Sequence, residues 1–332
     1  VRSSDGWKTA LWLVRDTFRQ SLASGIGWLL AGLSTICILV CLSATVTGPK
    51  SLGPKGENPQ FLPRLDAEAH DAHKLKVSGV TVADGALRLA FGAIRVPVAR
   101  DTRSAVQFLE LVLAAGVADT LGLLLTLIWT AGFLPAFLDS HAVAVLLAKP
   151  VPRGGLLLGK YVGVLAFVLV QAAYFVGGTW LALALRTGIW APAYLLSVPI
   201  LLLHFAIFFS VSLLLAVLFR SAVVSVFGSI AFWGLSWGIN YGRDLVTSAT
   251  DAASQGAFSR PLVWLAEIGY WLFPKPVDLG QLLFDALGAG AHFRPLLGSA
   301  PLMSLGLSVL TSLLFTAYVL LTAGVQFARA DY

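Results

Sequence analysis

The chain has 332 residues, of which 57% are hydrophobic and only 12% charged, with a formal net charge of +6. Soluble domains carry about a quarter of their residues as charges, so composition excludes an ordinary soluble enzyme or binding module, and the mean hydropathy of +0.82 agrees. The basic balance does not point to nucleic acid, which needs Lys and Arg clustered on one soluble face. Here they flank apolar blocks, where anionic lipid headgroups are the simpler partner.

Residues 21–49, 161–185, 187–219, 221–242 and 295–328 contain no Asp, Glu, Lys or Arg, and residues 111–138 contain one, Asp119. A bilayer core takes about 20 apolar residues per helix, so the six blocks predict an all-α integral membrane protein with six transmembrane helices. The first block is too long for a signal-peptide core and no small-residue cleavage site follows it, so it reads as a retained span. Cys37 and Cys41 lie one helical turn apart inside it and read as small packing residues.

Ahead of the first span, Trp7, Leu11, Val14 and Phe18 repeat at helical spacing, with Lys8, Arg15 and Arg19 along an adjacent edge. This predicts an interfacial helix over residues 1–20, rings buried and cations reaching headgroups; an extension of the first span is the alternative. Residues 21–332 then form one six-span domain with two large loops. The first, residues 48–105, opens as a Gly/Pro-rich linker. It then alternates through Val80, Val82, Asp84-Gly85, Leu87, Leu89 and Phe91, a hairpin pattern. Ile94, Arg95 and Val96 add a third strand, held to an edge by Pro97. Asp66, Glu68, His70, Asp71 and His73 in this loop read as a solvated run more readily than as a loose metal site.

In the second loop, residues 243–294, PLVWLAEIGYWLFP (261–274) is too short to span and contains Glu267. It predicts an interfacial or re-entrant helix with Trp264, Tyr270 and Trp271 at headgroup level. PKPVDLGQLLFDA (274–286) predicts a second amphipathic helix, capped near Asp278. Lys8, Arg15, Arg19, Lys149, Arg153, Lys160, Arg220 and Arg329 fall on one side of the membrane. Arg186 is the only basic residue in the short loop opposite, which places both termini in the cytoplasm. The nine basic residues from Lys50 to Arg103 weigh less, because long loops translocate largely regardless of charge.

Gly154 to Lys160 satisfies G-x-x-x-x-G-K, but Tyr161 stands where a phosphate-binding loop needs Ser or Thr, and no strand feeds it. ATP hydrolysis by this chain is not expected. Gly155, Gly159 and Gly163 instead repeat every fourth residue, as do Gly234, Gly238 and Gly242, making smooth stripes for close helix packing or a dimer seam. Between the second and third blocks, Pro135 marks the end of a span and Asp139 or Ser140 can cap a short helix over residues 141–148. Lys149-Pro150 and Pro152-Arg153 then stop it. Such a segment is either a lever at the membrane surface or a plain reversal with basic anchors.

A span ending in an acidic residue, a short helix, and L-x-K-P-V-x-R-x-x-L-L-L-G-K-Y-x-G opening the next span resembles the membrane (permease) subunits of type-2 ATP-binding-cassette (ABC) exporters. The positions are Asp139, Leu147, Lys149, Pro150, Val151, Arg153, Leu156, Leu157, Leu158, Gly159, Lys160, Tyr161 and Gly163. Where such subunits often have Glu and then a basic residue, this chain has Asp139, Ser140 and His141. The resemblance covers most of the chain and implies a bacterial inner-membrane permease, most simply a homodimer, docking on a separate cytoplasmic ATPase. Residues 136–156 would be the coupling segment, with Asp139, His141, Lys149, Pro150, Arg153 and Lys160 in contact or nearby. ATP and Mg would reside on the partner, leaving no cofactor, metal or catalytic residue in this chain.

Ionisable residues inside spans are costly unless paired or hydrated. Asp119 and His204 lie near the centres of the second and fourth spans, which run the same way and so share a depth, and Gln171 is midway along the third. The three could converge on a polar element of a transport path, or they could hold the bundle together. Two other classes remain: an ion-coupled secondary transporter using Asp119 and His204, and a lipid enzyme using His292 with Asp285.

Overall fold

The computed structural model describes residues 4–23, 25–47, 85–98, 102–137, 153–251, 260–287 and 305–329. The run from Asp66 to His73, the strand expected at Val80 and Val82, Asp139, His141, Lys149, Pro150 and His292 lie outside these residues.

Helix α1 (Ser4–Ala23) is parted from α2 (Ile26–Leu42) at Gly25, whose φ of 73° glycine holds without strain. The two helices diverge by 73°, so α1 is not a straight extension of the first span. The first apolar block is not helical throughout: its Thr45–Thr47 forms β1, the edge of a three-stranded antiparallel sheet with β2 (Gly85–Leu89) central and β3 (Ile94–Val98) opposite. Pro97 lies on the β3 edge, opposite Ala86. Phe91 does not continue the alternation of β2. It sits at φ 57° in the tight turn Ala90–Gly92 that leads to β3.

A continuous helix follows in three parts: α3 (Thr102–Leu111), a π-helical segment (Val112–Gly122) and α4 (Leu123–Phe137). It runs on through Pro135 rather than ending there. Beyond it come α5 (Arg153–Thr187), the 3-10 turn Pro192–Leu196, α6 (Ser197–Phe219), α7 (Ala222–Asp251), α8 (Arg260–Leu272), α9 (Pro276–Ala286) and α10 (Leu305–Arg329). Among the described residues, five helical stretches are long and apolar enough to cross a membrane: Ala105–Thr130, Gly154–Thr187, Pro192–Phe219, Ala222–Arg243 and Gly306–Arg329. The bent pair α1–α2 would make a sixth. The chain is a helical, multi-pass membrane protein.

Helix α6 is the axis of the bundle, with 67% of its apolar window buried against 17% for α7. Around it Phe205, Phe208 and Phe209 join Leu13, Trp129, Phe167 and Phe327 in one core. A second core, nearer the sheet, gathers Cys41, Leu109, Phe175, Tyr194 and Leu283. Both cysteines are free thiols that pack in or beside it.

The two glycine stripes have different fates. A Cβ on Gly163 would lie 2.8 Å from Thr17 Oγ1 and 3.3 Å from the Leu13 carbonyl oxygen, and one on Gly159 would strike Leu13 Cδ1. These two glycines let α1 lie directly on α5. Gly155 is exposed. Gly234, Gly238 and Gly242 meet nothing within 4 Å, so this stripe packs no helix of its own chain among the described residues. Gly163→Leu is expected to cost about 1–3 kcal/mol by overpacking and to lift α1 off α5. Faster tryptic cleavage at Arg15 and Arg19 would report it; unchanged cleavage would mean that α1 is held elsewhere.

Candidate functional site

Among the intramembrane polar residues expected from sequence, two meet. His204 Nδ1 lies 2.5 Å from Asp119 Oδ1, with side-chain exposures of 2% and 10%. The π segment places Asp119 there. The second span is buried at Glu110, Ala114, Asp119, Leu123 and Leu127, and exposed at Val112, Gly116 and Leu121. Both faces take one step of five residues, where an α-helix takes three or four. Gln171 does not join the pair: its Nε2 donates to Ser34 Oγ at 2.8 Å, fastening α5 to α2. Residues sharing a depth need not share a face, and Gln171 turns toward a different neighbour.

His204 Nε2 is buried without a hydrogen-bond partner, and its ring packs on Phe208. Glu110 is 1% exposed, with Oε2 likewise unpartnered. Sequence reasoning missed Glu110 because the apolar block read from sequence opens at Leu111, one residue after it, whereas the apolar helix begins at Ala105.

Lys160, expected among the ATPase-coupling residues, is buried against α1. Its Nζ donates to Gln20 Oε1 at 2.7 Å and lies 3.6 Å from Asp16 Oδ2. A lysine desolvated in this way needs an acceptor, and α1 supplies it where Gly159 and Gly163 admit close approach. On the next position Tyr161 donates its hydroxyl to the Ala206 carbonyl at 2.8 Å and stacks on Phe209, joining α5 to α6. Arg153 is the first residue of α5.

A second polar cluster sits where α8 and α9 meet the ends of α7 and α10. Arg243 Nε donates to Glu267 Oε1 at 2.9 Å, and its guanidinium lies 3.8 Å over the Tyr270 ring. Tyr270 donates to Asp278 Oδ2 at 2.5 Å, and Ser308 donates to the same oxygen at 2.7 Å. Lys275 Nζ donates to Thr311 Oγ1 at 2.9 Å and lies 4.7 Å from the Tyr270 ring centroid. Burial pushes the Tyr270 phenol above its ordinary range, and the hydrogen bond to Asp278 adds to this; burial pulls the Lys275 ammonium below its own.

This cluster corrects two expectations. Asp278 does not cap α9: the N-cap position is Lys275, with no side-chain cap hydrogen bond, and the carboxylate is spent on Tyr270 and Ser308. Tyr270 is buried rather than at headgroup level, while Trp264 and Trp271 are exposed as a headgroup belt requires. Its neighbours in sequence mark an amphipathic helix, but only the fold shows that Tyr270 is on the inner side.

Asp285 is exposed and makes no polar contact with another described residue. Among the described residues no three His, Cys, Asp or Glu side chains are grouped to hold a metal ion. Compared with known protein families and curated proteins, the chain matches no family model and no curated sequence.

Proposed function

We propose that the chain is the membrane subunit of an ATP-driven exporter of the type-2 ABC kind, with ATP and Mg held by a separate cytoplasmic ATPase. In this reading both termini face the cytoplasm of a bacterium, and the sheet, α8 and α9 lie on the outer side of the inner membrane. Two copies would pair to form the path, and the open glycine face of α7 is the surface available to a second copy.

The observation that carries the reading is the clamp between α1 and the start of α5, built from Gly159, Gly163 and the Lys160–Gln20 bond. A push on residues 139–153 would be delivered to the first turns of α5 and, through the clamp, to α1 at the same time. Tyr161 would pass it to α6, the bundle axis, by its bond to Ala206. Rigid elements joined in this way transmit displacement as tilting or sliding of packed helices. A second reading, an ion-coupled secondary transporter, is favoured by one observation, the buried Asp119–His204 pair with a free ring nitrogen.

Affinity purification of the tagged chain in mild detergent, with its partners identified by mass spectrometry, tests the proposal. A stoichiometric ATPase is the expected result, and Arg153→Glu is expected to leave the complex assembled while uncoupling hydrolysis from transport. A homogeneous chain with no ATPase would favour the second reading.

A further inference from the structure

We propose that Asp119 and His204 form a proton-binding site that sets the helical register of the second span. The inference rests on the fold and on these two side chains, and stands independently of the exporter reading. The π segment is a departure from the α-helix that isolated sequence does not prefer, and such departures are rare and concentrate at functional positions. Here the five-residue step from Ala114 to Asp119 turns the carboxylate onto the face that meets His204. In an unbroken α-helix counted from Glu110 and Ala114, position 118 would occupy that face and Asp119 would be rotated off it by about 100°. The pair and the π register therefore require each other.

A pair holding one proton between carboxylate and imidazole is compensated. Adding or removing a proton leaves a net charge in an apolar interior, which is costly. Adding a proton neutralises the carboxylate beside an imidazolium and removes the attraction between them, which favours the register in which Asp119 leaves His204 and the segment returns to α geometry. The unpartnered Nε2 is the second observation: the imidazole is buried with one nitrogen on Asp119 and the other unused, so its protonation is not pinned by a second protein group.

No other titrating group competes for the pair among the described residues. From α5, Lys160 bonds to Gln20, Tyr161 to Ala206 and Tyr174 to Thr35; Tyr194, at the head of α6, contacts Thr179. From α9, Asp278 accepts from Tyr270 and Ser308 and Asp285 is exposed; from α7, Arg243 pairs with Glu267. On its own span Glu110 makes no bond to either residue, α4 carries no ionisable group, and Tyr318 and Arg329 of α10 are exposed.

The register moves everything beyond the π segment, so the reporter belongs on α4. Spin labels on Ile128 and on Leu321 of α10, both exposed, would be placed in the full chain with Cys37→Ala and Cys41→Ala and reconstituted in lipid nanodiscs. One interlabel distance is expected near neutral pH. Lowering the pH should populate a second distance, displaced by about 5 Å as α4 turns. Asp119→Asn should populate the same distance at every pH. A single distance throughout overturns the proposal, as does a shift in Asp119→Asn that no pH reproduces. If the Asn variant fails to fold, the pH series on the unsubstituted pair decides alone.

Discussion

Asp278→Ala is expected to destabilise the protein by about 3–5 kcal/mol, because it leaves buried polar groups without their acceptor. Both Tyr270 and Ser308 donate to the one oxygen, and Lys275 loses the nearby negative charge that offsets its desolvation. The corner between α8 and α9 is fastened to α10 through these contacts, so the loss should appear first as release of α8 and α9. Asp278→Asn keeps the shape and one acceptor oxygen, and should cost less. Denaturant titration in detergent, read by tryptophan fluorescence, measures both. A cost below about 1 kcal/mol for the Ala variant would mean that water solvates the corner, as at an exposed ion pair.

The second large effect concerns the membrane centre. Asp119→Leu and His204→Leu should each cost about 3–5 kcal/mol, since each strands a polar partner in an apolar interior. The double variant should recover most of that loss, because two apolar side chains replace the pair together. A thermodynamic cycle over the four proteins isolates the coupling. Additive costs, with no recovery, would show that the two side chains act separately despite the 2.5 Å contact.

Both results depend on contacts that composition could not announce, although much around them was legible. Charge-free blocks marked the apolar helices, and the 261–274 and 274–286 segments became α8 and α9 to within a few residues. The common depth of Asp119 and His204 followed from counting residues along spans of the same direction. Glu110 escaped because a window drawn by charge stops at the charge itself. Whether Gln171 joins the pair or ties other helices together stayed open in the sequence, because depth alone says nothing about which way a helix is turned; its bond to Ser34 is of the second kind. The π segment was invisible: its extra residue sits in a run of Val, Leu, Ala and Gly, where a step of five leaves hydropathy unchanged.

Which stretches are apolar enough to enter a bilayer, and where short amphipathic helices lie between them, is local information, because transfer to lipid depends on the composition of one segment. Rotation about the helix axis is another matter. That Lys160 turns to Gln20, Asp278 to Tyr270 and Ser308, and Asp119 to His204 is settled only when neighbouring helices pack, since each buried polar group must find its partner on another part of the chain.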